Sequence, residues 1–488
     1  MFFKIFNFLI KKFKFFLSLL GFEILINPVS KFEIELLNLK EKAKRKQYNS
    51  HKKKELISKI KCSNSEKTKK EWEELICDWE NCDPNVFKKF EQFYLKRQSY
   101  LKDIGLSDLK IDFINKAIFT GAFGMPYHFQ VYSESKDLKL HDGKPLSLIE
   151  KEIFNYKKKW SITNLTLFGL IKNFLTVVSN KKSINKLRPL ENQLTIPIDY
   201  VVPVKKKFLF VEIAKNVINT MKYEKDICKP FLVLGSSENR NAEALLKKIG
   251  IDLNNDWFVT IHVRESGWHE KNNDHFFRNG KIEDYYKSVN FIIQNGGKVV
   301  RVGNDKMTKC KKIDGLIDYA HSKERSEELD IILAAKSKFC IATSSGFFAI
   351  TTLFDTPTIL TNTTHTIVYY RLKKHDMFVP ALLRGVNNKK YVKLDQLMLP
   401  PYSMVNLNVG KKYKDWNLEY IKNDEDDIFN ATKEMMERLK ENNFDTLSEN
   451  QLKIRSKINS NLKLYTDEKM YAHGIFPDNF LKKHNKIY

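Results

Sequence analysis

The stretch Trp257-Phe-Val-Thr-Ile-His-Val-Arg264 decides the fold that the sequence predicts. It is a short run rich in β-branched residues that ends in an arginine, and a polar loop with glycine follows it, which is typical of a buried strand. The next segment, Ile282 to Gln294, carries apolar residues at helical spacing. Gly296 and Gly297 follow this segment and form a helix stop signal. The first unit is therefore a strand followed by a helix.

The same alternation continues as far as Thr361. Further strands are predicted at 298–303, 316–320, 338–343 and 357–361, and further helices at 326–335 and 347–354. Before this region, the apolar segment 231–236 is also predicted as a strand. Ser326 stands where an N-cap residue is expected, and acidic residues follow it in the first turn. Strands that alternate with helices predict an α/β fold in which a parallel sheet carries helices on both faces.

Polar groups suited to an anion follow three of these strands. In parallel sheets of this kind, ligands bind outside the carboxyl ends of the strands. The candidate residues at this edge are His262, Arg264, Arg301, Asp305, Thr343, Ser344, Ser345 and Gly346. Because all three strand ends lie at one edge of the sheet, we expect these groups to form one phosphate-binding rim.

The segment from Thr343 to Gly346 leads directly into a predicted helix. Its hydroxyls and the free N–H groups of the helix N-terminus would face a phosphate, and Gly346 lets the backbone approach closely. Arg264 adds a planar guanidinium that can bind phosphate through two hydrogen bonds. Each feature alone has a plainer explanation, because a strand-end arginine is commonly a surface ion pair and Ser-Ser-Gly is a common helix cap. The combination on successive strands is more specific.

Two further polar features remain open on the sequence alone. Asp330 lies in an apolar helix and suits either a structural hydrogen bond or a ligand contact. The polar loop from Asn362 to Thr366 either extends the rim or lies at the surface, and the same two readings hold for His365.

At these residues, between about 255 and 365, the chain resembles a prokaryotic family of GT-B glycosyltransferases with an HVR…TSSG signature, which is similar to the GDP-fucose fucosyltransferases. The resemblance implies two Rossmann-like domains and a nucleotide-sugar donor. It implies that Arg264 holds the β-phosphate, that His262 and Asp305 contact the nucleoside or diphosphate, and that Ser344 and Ser345 donate to phosphate oxygens. The chain departs from the fucosyltransferases at Gly267, where they carry an acidic residue, so fucose is not implied.

The predicted activity is therefore glycosyl transfer from a nucleotide-diphosphate donor, such as a GDP-sugar, to a glycan or lipid-linked acceptor in surface polysaccharide synthesis. The reaction is predicted to be metal-independent and inverting, and to need no cofactor. Two alternatives remain: a non-catalytic, membrane-associated protein that binds nucleotides or glycans, and a nucleotide-sugar epimerase or hydrolase. A nucleic-acid partner is not predicted, because no nucleic-acid-binding motif accompanies the basic residues.

An inverting transferase needs a group that accepts the proton of the acceptor hydroxyl. The loop after Arg264 offers five candidates, namely Glu265, His269, Glu270, Asp274 and His275. We select Glu270 as the catalytic base beside Arg264, although a solvated loop carboxylate explains it as well. The spacing of the two histidines does not match the helical spacing of zinc proteases, and no metal site is predicted.

The chain has 488 residues and a formal net charge of +25, which suits an anionic membrane surface or acidic substrates. Abundant lysine throughout the chain also fits a simple composition bias. Residues 1–22 contain no acidic side chain, and Lys4, Asn7, Lys11, Lys14 and Ser18 would form one polar stripe on a helix. This pattern is typical of a helix that lies on a membrane surface. The alternatives are a spanning helix, a signal peptide or a helix packed on the protein's own core.

Six cysteines without a C-x-x-C pair favour a reducing cytosolic compartment. The predicted location is therefore the cytoplasm, with peripheral attachment to the inner face of the cell membrane. The predicted regions are an amphipathic membrane-surface helix (1–28), a basic helical extension (29–100), an N-terminal Rossmann-like acceptor domain (101–250), a C-terminal nucleotide-sugar-binding domain (251–445) and a C-terminal tail (446–488).

Overall fold

The computed structural model describes residues 71–487 except 72, 76, 79–80, 82, 84, 104–109, 155–160, 197, 199, 266–276 and 406–408. The predicted membrane-surface helix, residues 1–28, and most of the basic extension therefore lie outside the described residues. Within the described part of the chain, no helix combines the length and the apolar character needed to cross a bilayer.

The first half of the described chain alternates short strands with helices. In chain order its elements are α1 (Val86–Asp103), β1 (Ile111–Ile114), α2 (Ala117–Thr120), α3 (Pro126–Asp137), β2 (Lys144–Leu148), α4 (Leu165–Ile171), β3 (Thr176–Val178), α5 (Lys181–Leu194), β4 (Thr195–Ile196), β5 (Val201–Val204), β6 (Lys207–Phe210), α6 (Val211–Glu224) and α7 (Ser236–Lys248).

The second half continues the alternation. Its elements are β7 (Trp257–His262), α8 (Tyr286–Gln294), β8 (Gly297–Arg301), β9 (Leu316–Ile317), α9 (Glu327–Lys336), β10 (Cys340–Thr343), α10 (Gly346–Leu353), β11 (Thr358–Thr363), β12 (Met377–Pro380), β13 (Leu382–Gly385), α11 (Leu394–Leu397), α12 (Val409–Asp415), β14 (Leu418–Ile421), α13 (Glu425–Glu441), α14 (Glu449–Ser460) and α15 (Asp478–Lys483).

Two parallel sheets organise these elements. The first has the order β3-β2-β1-β4 and the second the order β12-β11-β10-β7-β8-β9. All strand pairs within both sheets are parallel. The second order is that of the Rossmann fold, and the first is its opening part, so each sheet has a topological switch point beside its first strand. The predicted α/β, GT-B-like fold with two Rossmann-like parallel sheets is confirmed.

Most predicted elements of the second sheet are present within one or two residues, but two strand predictions need correction. The predicted strand at 316–320 ends at Ile317 and continues as a 3-10 turn, Tyr319–His321. The apolar segment 231–236, predicted as a strand, pairs with no strand among the described residues, and its last residue, Ser236, begins α7. Its Leu232 N–H donates instead to the carbonyl of Leu353 at the end of α10, 2.9 Å away. A carbonyl at the C-terminus of α10 therefore accepts the hydrogen bond that a neighbouring strand would accept in a sheet.

The carboxyl edges of the two sheets face each other across a close backbone contact. Gly124 lies in the turn between β1 and α3, and Gly346 is the first residue of α10. A Cβ placed on Gly124 would lie 2.8 Å from the Cα of Gly346, and a Cβ on Gly346 would lie 2.9 Å from the nitrogen of Gly124. The glycines therefore allow an approach that no other residue permits, and the two switch points meet there.

Away from this contact, buried polar groups of α6 bond both to the second half of the chain and within the first half. Helix α6 is buried along its first ten residues. Its Asn216 side chain donates to the carbonyls of Tyr370 and Tyr471, at 2.8 and 2.9 Å. Its Lys215 side chain is fully buried and pairs with Glu134 of α3. Burial alone would raise the pKa of Glu134, but Lys215 and Lys222 lower it to about 2, so this carboxylate is charged.

We expect Gly124→Ala to destabilise the protein by about 1–3 kcal/mol, because the added methyl group forces the two backbones apart. Gly169→Ala is the matched control, since a Cβ on Gly169 in α4 meets nothing within 4 Å. That substitution should instead stabilise α4 by about 0.5–1 kcal/mol. Denaturant unfolding of the two variants measures both effects. Equal midpoints for the two variants would mean that the glycine contact does not constrain the fold.

Candidate functional site

The structure brings the predicted rim together at the switch point of the second sheet. Strands β11, β10 and β7 are neighbours in that order, so the residues after them stand side by side along one edge. Ala342 is paired with His262 in register, and the backbone N–H of Arg264 donates to the Thr343 hydroxyl at 3.0 Å. The strand end at Arg264 and the turn that begins at Thr343 therefore form one surface, as the sequence predicted.

Arg278, which the sequence analysis did not select, adds a second guanidinium beside Arg264. The carbonyl of Arg264 accepts a hydrogen bond from the N–H of Gly280 at 2.9 Å, so the loop between them returns to the strand end. Burial lowers the pKa of Arg264. Burial and the neighbouring Arg264 charge lower the pKa of Arg278 to about 10. Two partly buried cations that repel each other form a site that an anion would stabilise.

Ser345 occupies the N-cap position of α10 with its hydroxyl free. Its backbone is extended, with φ −150° and ψ 171°, and its side chain makes no capping hydrogen bond. The Oγ atom is buried and has no hydrogen-bond partner among the described residues. An N-cap hydroxyl ordinarily accepts an N–H of the first helical turn. Both this hydroxyl and the first N–H groups of α10 are therefore left for a ligand. Ser344 beside it is buried, with 8% of its surface exposed.

Two histidines flank the Ser345 turn, of which His262 is half-buried and His365 is buried. His262 ends β7 and stacks on Phe347 with ring centroids 6.0 Å apart, and His365 follows β11. His262 Nδ1 and His365 Nε2 are buried and have no hydrogen-bond partner among the described residues. Burial, with Arg301 and Arg264 nearby, lowers the pKa of His262 to about 4. Burial, with Arg278 and Arg371 nearby, lowers that of His365 to about 3. Both imidazoles are therefore neutral at pH 7.

Arg301 and Asp305 differ from the other predicted donor-binding residues in their surroundings. The Arg301 side chain is fully buried and pairs with Glu265 at 2.9 Å and with Asp318 at 3.4 Å. The second carboxylate oxygen of Glu265 accepts the Thr308 N–H at 2.7 Å. Asp305 is exposed in the turn after β8. Arg301 thus links the chain after β7, at Glu265, to the chain after β9, at Asp318. The donor contacts predicted for Arg301 and Asp305 stay predictions.

The predicted base, Glu270, lies outside the described residues, as do His269, Asp274 and His275. Glu265 is described and is held by Arg301 and by the Thr308 backbone. Its role in the fold is therefore structural. The selection of Glu270 stays a prediction.

At the boundary between the two halves lie further groups that sequence reasoning missed. The Arg371 guanidinium lies between the rings of Tyr127 and Phe348, at 4.4 and 4.3 Å from their centroids. It also lies 3.6 Å from Glu212 of α6. Burial raises the pKa of Glu212 to about 7, with Arg371 opposing that rise. Burial and Arg371 lower the pKa of His128, on α3, to about 3.

The missed residues carry weak sequence signals. Arg278 follows a long polar loop, and nothing in its local sequence distinguishes it from a surface arginine. Arg371 stands in the apolar run Ile367-Val-Tyr-Tyr-Arg-Leu372, and a lone cation in such a run is the pattern of a buried, partnered charge. Asp330, left open on the sequence, lies beside the Tyr319 hydroxyl, and burial raises its pKa to about 6. The hydrogen bond with Tyr319 therefore accounts for a carboxyl group in this apolar helix.

Neither a family model nor a curated protein sequence matches this chain. Several solved structures are similar to it. The ADP-heptose LPS heptosyltransferase II of E. coli is 11% identical, over 51% of this chain and 83% of that one, with a TM-score of 0.32. A glycosyl transferase family 9 protein of Veillonella parvula DSM 2008 is 10% identical, over 56% and 86%, with a TM-score of 0.33. The iron-containing dodecameric glycosyltransferase TibC of enterotoxigenic E. coli H10407 is 10% identical, over 68% and 76%, with a TM-score of 0.33. At these values the fold assignment rests on the strand order of this chain itself, and the resemblance to GDP-fucose fucosyltransferases stays a prediction.

We expect Arg278→Met to stabilise the ligand-free protein by about 1 kcal/mol or more, because it removes a buried charge that Arg264 repels. The matched control is Arg438→Met, since the Arg438 side chain is also partly buried but pairs with Glu434 at 2.9 Å. Breaking that pair should destabilise the protein by about 3 kcal/mol. Melting temperatures of both variants without ligand measure the difference. If Arg278→Met lowers the melting temperature as Arg438→Met does, Arg278 is a structural residue.

Proposed function

We propose that this protein is a metal-independent glycosyltransferase that moves a sugar from a nucleoside-diphosphate donor to a glycan or lipid-linked acceptor. The observation that carries the proposal is one strand edge that joins three features. The Arg264 N–H donates to the Thr343 hydroxyl, the Arg278 guanidinium lies near that of Arg264, and the Ser345 hydroxyl at the N-terminus of α10 is buried with no partner among the described residues. This arrangement lies at the topological switch point of a Rossmann-type sheet, where such folds bind nucleotides.

The charges match the demands of the reaction. When the bond between the anomeric carbon and the β-phosphate oxygen breaks, the oxygen keeps the electron pair and the diphosphate gains negative charge. In this proposal Arg264, Arg278 and the N–H groups of α10 face that position, so they would stabilise the leaving group without reorganising. In this proposal they supply the positive charge that a metal ion supplies in other transferases, and no metal or cofactor is required.

The acceptor would approach from the first domain. Its switch point lies beside β1, where the turn with Gly124 meets α10. An acceptor hydroxyl placed between the two edges would attack the anomeric carbon from the side opposite the diphosphate, which inverts the configuration. The proton of this hydroxyl would pass to a base, for which Glu270 remains our candidate.

The chain would work at the inner face of the cell membrane, where lipid-linked acceptors of surface polysaccharide synthesis are found. Residues 1–28 supply the amphipathic pattern, and the formal charge of +25 supplies attraction to anionic lipid.

The donor site is tested by a thermal-shift panel with ADP, GDP and UDP on the wild type, Arg264→Ala and Arg278→Met. We expect one nucleoside diphosphate to stabilise the wild type by about 2.7 kcal/mol at roughly one hundred times its dissociation constant. Both arginine variants should lose this shift. Arg240→Ala, which removes an exposed arginine of α7, controls for lost charge and should keep it. No shift with any nucleotide, or an unchanged shift in Arg264→Ala, would refute the donor site.

Membrane attachment is tested by co-sedimentation with lipid vesicles. We expect the full chain to pellet with vesicles that contain anionic lipid, and the chain without residues 1–28 to stay in the supernatant, because the apolar face and the lysine stripe are lost together. A variant with Lys4, Lys11 and Lys14 replaced by Glu should lose binding to anionic vesicles while keeping the apolar face. Equal binding of the truncated and full chains would place the attachment elsewhere.

A further inference from the structure

Four histidines of the described chain, His128, His262, His365 and His484, have a buried ring nitrogen without a hydrogen-bond partner. Two of them, His262 and His365, stand at the ends of β7 and β11, on either side of β10, which leads into the Ser345 turn. A buried polar atom that makes no hydrogen bond costs about 1–3 kcal/mol, and most such atoms in folded proteins are paired. His473 illustrates the usual case, since its buried ring donates to or accepts from the Thr220 hydroxyl at 2.9 Å. The unpartnered nitrogens of His262 and His365 therefore indicate a ligand that would form the missing hydrogen bonds.

The charges around His365 differ from those around His262. The guanidiniums that act on His365 are Arg278 and Arg371, and the Nε atom of each is buried without a hydrogen-bond partner among the described residues. Arg371 also acts on His128, and its only ion-pair partner in the described chain is Glu212, at 3.6 Å. The positive charge beside His365 is therefore poorly compensated.

Most of the positive charge beside His262 is already compensated. Of the two arginines that lower the pKa of His262, Arg301 contributes more than Arg264, and Arg301 pairs with both Glu265 and Asp318. An anion at Arg264 therefore removes only the smaller contribution. At His365, burial lowers the pKa most, and Arg278 and Arg371 lower it further, so an anion that neutralises these two arginines favours protonation of His365 more than that of His262.

We propose that His365 takes up a proton from solvent when the diphosphate of the donor binds, and that its Nε2–H then donates a hydrogen bond to a phosphate oxygen. This inference rests on the proposed function. It makes His365 a further phosphate-binding residue and couples nucleotide binding to protonation. Burial, Arg278 and Arg371 lower the pKa of His365 to about 3 in the empty site. A bound anion offsets the positive charge of both arginines and so raises this pKa.

Linkage fixes the sign and size of the effect. An imidazole that is neutral in the free protein and cationic in the complex makes binding tighter at lower pH. For one proton the dissociation constant rises about tenfold for each pH unit, in the window between the free-state and bound-state pKa values. A phosphate site made only of arginines and N–H groups shows no such slope in that window, since arginine stays charged.

The experiment is isothermal titration calorimetry of the full chain in buffers of different ionisation enthalpy, between about pH 5.5 and 8. The probes are ADP-glucose, GDP-mannose and UDP-glucose, whose diphosphate diesters do not titrate in this range, and sulfate, which has no proton to exchange there. We expect uptake of close to one proton per bound sugar nucleotide at about pH 6. His365→Gln, and His365→Asn as a second variant, should bind without proton uptake.

His473→Gln is the matched control, because His473 is equally buried and its pKa is also lowered to about 3, but its ring is partnered away from the rim. It should keep the proton uptake of the wild type. Sugar-nucleotide binding by the wild type without proton uptake overturns this inference and leaves the proposed function standing. Uptake with sulfate but no binding of any sugar nucleotide supports His365 and overturns the proposed function. Failure of all four probes to bind overturns both.

Discussion

The contact between Gly124 and Gly346 is the constraint on which the arrangement of this protein depends. A side chain on either residue would come within 3 Å of the other's backbone. The turn after β1 can therefore rest directly on the N-terminus of α10. In each sheet the strand order reverses direction beside the first strand, which makes that place a topological switch point. The glycine contact brings these two switch points face to face. A site between the sheets is the geometric consequence.

Several polar groups behind the contact are hydrogen-bonded, whereas several at the rim are not. Behind it, Lys215 is paired with Glu134, and Asn216 is bonded to two backbone carbonyls. These bonds offset the cost of burying polar atoms between the domains. At the rim, Ser345 Oγ, His262 Nδ1, Arg278 Nε and His365 Nε2 are buried with no partner among the described residues. Other buried atoms without a partner, such as Gln130 Oε1 and Glu212 Oε2, lie on α3 and α6 behind the contact. The clustering of unpartnered donors and acceptors at one strand edge, and not the lack of partners alone, therefore indicates a binding surface.

The sequence predicts the second sheet and most of its rim because both depend on local patterns. β-branched runs mark β7 and β10, and the polar residues after them must share an edge once the strands are parallel. Arg278 was not predictable, because its place depends on a loop that returns to the strand end through the bond between Gly280 and Arg264. The segment 231–236 was predicted wrongly, because a short apolar run does not reveal whether its hydrogen-bond partner is a strand or the end of a helix such as α10.

The basic character of the whole chain and the cations of the rim act over different distances. The formal charge of +25 attracts any anion, but exposed charges are screened beyond about 8 Å at physiological ionic strength. The partly buried Arg264 and Arg278 are screened less, and their positions are fixed by a strand end and a returning loop. Overall charge can therefore concentrate nucleotides and anionic lipid alike near the protein. Selection of a diphosphate over other anions must come from the two guanidiniums, the Ser345 hydroxyl and the N-terminus of α10, because only fixed donors distinguish one anion geometry from another.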